Sequence, residues 1–450
     1  MKRSTILLLL LSLSPFLQTQ ELPENFSRFF TDSTLRVDYF HTGDRERDVI
    51  TLDRLYKQGT WAGPIHQLVD HWNNGQYYGK VYDAETGQLI YSRGFNSYFY
   101  EYRTTNPAIQ GTPRTFHESF LFPFPRRKVR LVLENRDLKL QLQTVFTLEI
   151  DPDSAYIDTA PHSGDIRITE LLNNGHPHEK VDIAVVAEGY RIQDREKLQR
   201  DFQRATDVLF SHEPYRSQKN HFNVYGVFSP SKDPGCDEPR QGIYRSTAVE
   251  TSFNALDLPR YLLVEDQKRL QNVLARVPSD AVIVMVNHQR YGGGGIYNQY
   301  CVFTADSPPS AYLLLHEFGH SFAGLGDEYY ASQVSYNDFI PAGTEPLEPN
   351  VTALLEPGNL KWKHLVTPGT PIPTPWDKAA YEKKRGNARR EHLEDKKFSG
   401  VVGAFQGAMY VSEGMYRPAI DCIMFSRNTL DYCPVCANAV SQMIRHFSGK

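Results

Sequence analysis

His316-Glu-Phe-Gly-His-Ser-Phe-Ala-Gly-Leu-Gly-Asp-Glu-Tyr329 places two imidazoles and three carboxylates within one short stretch. His316 and His320 are four residues apart, so on a helix they project from one face a single turn apart, close enough to share a tetrahedral metal ion. Glu317 sits beside that face. In such an arrangement the glutamate does not ligate; it takes a proton from a water whose pKa the metal lowers towards neutrality. Two histidines leave the site short of protein ligands, and Gly324 offers the way to a third. Glycine adopts the positive φ that other residues resist, so the chain can reverse there and return Asp327 or Glu328 to the metal. The spacing implies hydrolysis at a zinc ion.

The flanks agree with a helix. Pro308, Pro309 and Ser310 supply a start, and Leu313, Leu314, Leu315 and Phe318 supply apolar packing around the histidines. The competing reading is a buried helix with no metal, which burial of two histidines and a glutamate without a partner makes costly. Upstream, Val181 to Ala187 is a nearly continuous apolar run, as a buried strand requires, and it leads into Glu188-Gly189-Tyr190. Leu198, Phe202, Ala205 and Leu209 recur at helical intervals between Asp194 and Phe210. His221 to Ser229 and Ala281 to Asn287 read as two further strands. The glycine run Gly292 to Gly295 lacks the following Lys-Ser/Thr of a phosphate loop. Its glycines instead permit a close backbone approach ahead of Tyr297 to Thr304, read as an edge strand to which a peptide can add as a further strand. Residues 331–400, with several prolines and the charged stretch Glu382 to His392, are expected to form loops and an exposed helix covering part of a cleft. Val435, Ala439, Val440 and Ile444 indicate a closing C-terminal helix.

Between about residues 25 and 150 the chain is rich in Tyr, Phe, Val and Thr with alternating polarity, which reads as β structure. Gly79 to Tyr82 and Gln88 to Ser92 flank an Asp83-to-Gly87 turn, and Tyr98 to Tyr102, Val129 to Glu134 and Thr144 to Ile150 supply further strands. The expected fold class is α+β and multidomain: an N-terminal antiparallel β-sandwich over 21–155, then an α/β catalytic domain over 160–450, with the boundary near Asp151-Pro152-Asp153. The N-terminal aromatics suit ordinary sheet packing; contact with a glycan is the alternative use for them.

Composition narrows the rest. With 450 residues and 40% apolar content the chain can bury more than one core. Lys2 and Arg3 precede the apolar run Ile6 to Leu11, which reads as a cleavable secretory signal over residues 1–20, so the expected location is secreted or periplasmic. That run is too short for a comfortable membrane span, and no other segment offers a transmembrane anchor. A formal net charge of −4 without a basic patch argues against nucleic acid as a partner. Cysteines occur at 236, 301, 422, 433 and 436, an odd number that leaves at least one unpaired. Cys433-Pro-Val-Cys436 has redox-motif spacing without a thioredoxin-like context. A disulfide or packed thiols near the site is the expectation for Cys422, Cys433 and Cys436, with a second metal site as the alternative.

Taken with Val181-Asp-Ile, Glu188-Gly-Tyr190, Arg290-Tyr-Gly-Gly293, Gly407-Ala408, Gly414-Met-Tyr-Arg-Pro418, Cys422-Ile-Met424 and Cys433-Pro-Val-Cys436, the His316 motif resembles metzincin-type zinc peptidases, and most closely the IgA-peptidase family, also called igalysins. The resemblance implies a metzincin-like catalytic domain behind a β-rich N-terminal one. It implies that His316, His320 and Asp327 bind Zn2+, that Glu317 is the general base, and that Met424 underlies the metal as a packing residue. The common metzincin pattern has its glycine seven and its third ligand ten residues after the first histidine; here they fall at eight and eleven, with Glu328 the nearest competitor. A thermolysin-like site would instead use Glu345 or Glu348. Tyr416, Arg417 and Tyr432 are candidates to stabilise an oxyanion, each equally explained by packing. The expected activity is an exported zinc endopeptidase acting on protein or peptide; the alternatives are a zinc amidase acting on cell-wall or glycan-linked peptide, and a non-enzymatic binding protein with a relic site. The family name does not make immunoglobulin A the substrate.

Overall fold

The computed structural model describes residues 22–160, 162, 164–330 and 343–449. The signal-peptide reading of residues 1–20 lies outside these, as does 331–342 of the expected loop region.

The N-terminal part holds eight strands: β1 (Phe30–Gly43), β2 (Asp48–Gln58), β3 (Tyr77–Asp83), β4 (Leu89–Phe95), β5 (Arg114–Pro125), β6 (Val129–Arg136), β7 (Leu142–Ile150) and the short β8 (Ile157–Asp158). They form two four-stranded sheets, ordered β5-β1-β2-β8 and β4-β3-β6-β7. Every pairing is antiparallel except β2 with β8. Leu35, Val37 and Tyr39 of one sheet, and Val129, Leu131 and Leu133 of the other, enter one shared core at the every-second-residue spacing of a pleated strand. Tyr77, Tyr91, Phe95, Phe120 and Phe122 are buried in that core as well.

One expected strand is a helix. Tyr98–Arg103 is helical, with the Ser97 hydroxyl capping the Tyr100 N–H at 3.0 Å. Its aromatics Tyr98, Phe99 and Tyr102 cover Phe116 of β5 from one face. Strand propensity of aromatics yields here to the N-cap and to packing at helical spacing.

The other face of the first sheet is fastened to the remainder of the chain. Arg36 on β1 chelates Asp38 and reaches Asn272 Oδ1 at 2.9 Å, and Tyr98 and Arg114 both bond Glu265, at 2.9 and 3.0 Å. This docking sets where the N-terminal part stands beside the site described below.

The second part is built on strands β9 (Arg167–Leu172), β10 (Val181–Glu188), β11 (Phe222–Phe228), β12 (Thr251–Phe253), β13 (Leu262–Val264), β14 (Ala281–Val286), β15 (Gly293–Ile296) and β16 (Tyr300–Thr304). Six of them form a mixed sheet in the order β15-β16-β14-β10-β11-β9, parallel through its centre and antiparallel at both edges; β12 and β13 pair separately. A central parallel sheet must be covered on both faces. Val181, Ile183 and Val185 of β10 point into a core with Leu198 and Phe202 of the helix Arg195–Leu209, while Ala184 and Val186 point into another with Leu270 and Val273 of the helix Gln267–Leu274. Beyond it, β17 (Phe405–Ala408) and β18 (Val411–Arg417) form a hairpin, and the C-terminal helix Pro434–Ser448 closes the first of these cores. Among the described residues no helix is long and apolar enough to cross a membrane.

The edge strand is not where the sequence pattern predicts it. Tyr300–Thr304 lies between β14 and β15, and the glycine run itself is the edge. The glycines serve the predicted close approach: a Cβ on Gly295 would meet the Glu317 carbonyl oxygen at 2.5 Å and the His320 Cβ at 2.9 Å. The helix bearing the histidines therefore lies directly on this strand. Glu188-Gly189-Tyr190 is structural: the buried Glu188 carboxylate accepts from Thr247, from the Val249 N–H and from the N–H and hydroxyl of Thr251.

Candidate active site

The histidine helix spans Ser310–Ala323, with Pro309 as N-cap, and ends at Gly324 in the left-handed conformation, φ 61°. Gly324 N–H bonds His320 O at 3.0 Å and Leu325 N–H bonds Gly319 O at 3.2 Å, closing the helix end. A Cβ there would meet Asn74 Nδ2 at 2.6 Å, so the N-terminal part touches the chain at this reversal. The reversal carries Asp327 back over the helix.

His316 Nε2, His320 Nε2 and Asp327 Oδ1 form a triangle with edges of 3.2, 3.2 and 3.3 Å. A tetrahedral zinc with metal–ligand distances of about 2.0–2.2 Å separates its ligand atoms by about 3.3–3.5 Å, so the triangle has the dimensions of one face of such a site. The hydrogen bonds set the tautomers. His316 Nδ1 lies 3.0 Å from the Ile423 carbonyl and His320 Nδ1 2.5 Å from that of Leu325, so each Nδ1–H donates outward and each Nε2 lone pair faces the triangle. Asp327 Oδ1 is buried and has no hydrogen-bond donor. Three acceptors converging on one point are a fit for a cation. The groups of the triangle also interact strongly with one another: burial lowers the His320 pKa, yet the Asp327 carboxylate outweighs it and raises it to about 9, while the two histidines hold the Asp327 carboxyl well below its ordinary range against burial.

Glu317, one residue along the helix, leans over the glycine strand, where a Cβ on Gly293 would meet its Oε1 at 3.1 Å. Burial pushes its carboxyl pKa up. Glu328, the other carboxylate considered for the metal, turns away from the histidines: its Oε1 accepts from Asn350 Nδ2 at 3.0 Å and lies 3.1 Å from Cys436 Sγ. Glu345 accepts from the Ala353 N–H, and neither it nor Glu348 belongs to the histidine cluster.

The turn at Cys422–Phe425 underlies the site. Ile423 supplies the carbonyl that orients His316, Met424 O accepts from the Glu328 N–H at 2.8 Å, and a Cβ on Gly319, between the two histidines, would meet Met424 Sδ at 3.2 Å. Met424 is thus packed against the histidine helix and fully buried.

The candidate oxyanion residues lie elsewhere. Arg417 is buried, bonded to the Gly407 carbonyl at 2.8 Å and stacked on Phe425, and Tyr432 donates to the Leu315 carbonyl inside the core. Neither these two nor Tyr416 lines the cleft, whereas Arg260, Tyr291, Tyr329 and Tyr410 do. Tyr410 was not apparent in the sequence. Its hydroxyl donates to Asp327 Oδ2, leaving Oδ1 to face the histidines. Met409 and Tyr410 form the two-residue turn of the β17–β18 hairpin with φ of 49° and 65°, a conformation usually given to Asn-Gly, and such strain persists where surrounding contacts impose it. A Tyr410→Phe variant is expected to bind metal about 10–100-fold more weakly while keeping its fold, read by metal-competition titration beside thermal unfolding. Unchanged affinity would make the hydroxyl a packing contact.

The cleft has a volume of about 490 Å³ and lies between the two parts of the chain. Arg45, Asn74, Arg103 and Arg136 of the N-terminal part share its lining with His316, Glu317, His320 and Asp327. Thr344 to Glu348 also border it, but the charged stretch Glu382 to His392 does not. That stretch is mostly two short exposed helices, Lys378–Lys383 and Asn387–Leu393, where charge is solvated rather than directed at the site.

This fold and cleft define a two-part chain with a histidine–carboxylate cluster of metal-site dimensions at the junction. The profile described as IgA Peptidase M64 matches residues 169–394 and 387–444, and that described as Peptidase M64 N-terminus matches residues 25–147. The chain belongs to the IgA peptidase M64 family, a family of metallopeptidases. No curated protein matches it.

Proposed function

We propose that the protein is an exported zinc-dependent endopeptidase. The observation that carries this reading is the triangle of His316 Nε2, His320 Nε2 and Asp327 Oδ1, with Glu317 beside it on the wall of one cleft. Two imidazoles and one carboxylate suit zinc, and the bound ion would supply Lewis acidity and a water of lowered pKa. His316 and His320 are held for that task by the Ile423 and Leu325 carbonyls, which fix both tautomers. Asp327 contributes the negative charge. Glu317 accepts the proton of the attacking water and delivers it to the leaving amine, and its raised pKa suits it to both transfers. The cleft has room for a short peptide, and strand β15 is the sheet edge nearest Glu317. The N-terminal part supplies a polar wall rich in arginine. Most N-terminal aromatics that would stack on a sugar are turned into the sandwich core, which favours peptide over glycan as the group held there.

The test is cleavage of a mixed peptide library by the mature full-length chain, with zinc content measured on the same preparation and the amino terminus read by mass. The expected result is internal cleavage that chelator abolishes and zinc restores, by a protein beginning near Glu21. Trimming from peptide ends only would make it an exopeptidase. Turnover of cell-wall peptide alone would favour an amidase, and zinc without any turnover a relic binding site.

A further inference from the structure

Behind the histidine triangle lies a second convergence of ligands. Cys422 opens the turn that orients His316, Cys433 is the N-cap of the C-terminal helix, Cys436 lies in that helix's first turn, and Glu328 follows Asp327 directly. All four are buried, between 0% and 5% exposed. One ligand atom from each lies within 4.8 Å of every other. Cys422 Sγ and Cys436 Sγ are 3.8 Å apart, the separation that two thiolates take across a tetrahedral zinc with Zn–S of about 2.3 Å. No disulfide joins them: all five cysteines are free.

Two features suit this pocket to a cation. Glu328 Oε2 is buried without a hydrogen-bond partner. Four acidic groups, three thiols and a carboxyl, also share one buried pocket. The surroundings are prepared for thiolates. The Cys433 N–H points at Cys422 Sγ at 3.2 Å, the amino end of the C-terminal helix faces the pocket, and the buried Arg417 guanidinium acts on Glu328. Among the described residues, the other cluster with metal-like spacing, Asp38, Asp53 and His117, has no such need, because Arg36 and Lys268 already neutralise its aspartates.

We propose that Cys422, Cys433, Cys436 and Glu328 bind a second zinc ion, a closed structural site distinct from the histidine centre. Three thiolates select zinc over magnesium or calcium, and four protein ligands leave no open position for a substrate. The ligands bind as three thiolates and a carboxylate, any protons they carry passing to solvent as the ion enters; no electron is exchanged. The ion joins the segment carrying Asp327, the turn supporting His316 and the C-terminal helix. Its consequence is mechanical: the loop behind the catalytic ligands is clamped by a cross-link that needs no disulfide.

The proposal is tested on the full chain by zinc stoichiometry, cobalt substitution and thiol titration, in wild type and in a His316→Ala/His320→Ala variant. The expected result is two zinc ions in wild type and one in the variant. Cobalt in the variant then shows intense thiolate-to-metal charge transfer, and all five thiols react only after unfolding with chelator. A folded variant that binds no metal would overturn the second site, and so would a thiol count lowered by a disulfide. A wild type holding one ion with a thiolate spectrum would instead remove the histidine centre and leave this site standing, so the two assignments fail separately. Cys433→Ser should lose the charge-transfer band; if it does not fold, the histidine variant decides alone.

Discussion

Glu317→Gln is expected to retain its zinc and lose hydrolysis, with kcat falling by at least the roughly 10²–10⁴-fold that a positioned acid–base group supplies. The amide has nearly the carboxylate's shape, so the contact of the Glu317 side chain with Gly293 and the packing of the helix on β15 are preserved. What disappears is the ability to take a proton. Because Glu317 is not among the three atoms that converge as ligands, zinc content should stay at the wild-type level. KM should change little, since the loss falls on the transition state rather than on uniform binding. Activity within tenfold of wild type, with zinc still bound, would move the general base to another residue.

Asp327→Ala is expected to be the most damaging change at the metal. It removes the only negative charge of the triangle and leaves two imidazole lone pairs converging on an empty corner. The loss in zinc affinity should exceed the roughly 10–100-fold cost of removing a supporting residue such as Tyr410. Peptidase activity should fall with occupancy and return in part at high zinc. The contrast with Glu328→Gln is informative: that change should leave the histidine centre loaded and disturb the cysteine cluster, because Glu328 faces Cys436 rather than the histidines. The reverse pattern, metal lost from the histidines on changing Glu328, would exchange the roles of the two carboxylates. Equilibrium dialysis with cobalt separates the cases, as only a thiolate site gives strong charge-transfer absorption.

Much of the scaffold around these residues is legible in one dimension. The apolar run of β10, the helical recurrence of Leu198, Phe202, Ala205 and Leu209, and the alternation along β6 are each local patterns, and each element lies where its pattern predicts within a residue or two. The failures are equally local in origin. Tyr98–Arg103 has the composition of a strand and the cap of a helix, and packing against Phe116 decided between them. The edge strand was misplaced because pairing order, unlike strand existence, is not written in any single strand.

The sequence alone determined that His316 and His320 share a helix face, that Glu317 stands beside it, and that Gly324 turns the chain back. These follow from the repeat of a helix and from the one residue that tolerates positive φ, over distances of a few residues. Tertiary structure alone decided which of two adjacent carboxylates faces the histidines, which carbonyls fix their tautomers, and that Tyr410 rather than Tyr432 reaches the site. It likewise brought Glu328 to three cysteines about a hundred residues further on, and the N-terminal sheets to the rim of the cleft. The physical reason is range: a helix or turn is selected by its own neighbours, whereas convergence of atoms far apart in the chain depends on how sheets and helices pack, which no local pattern specifies.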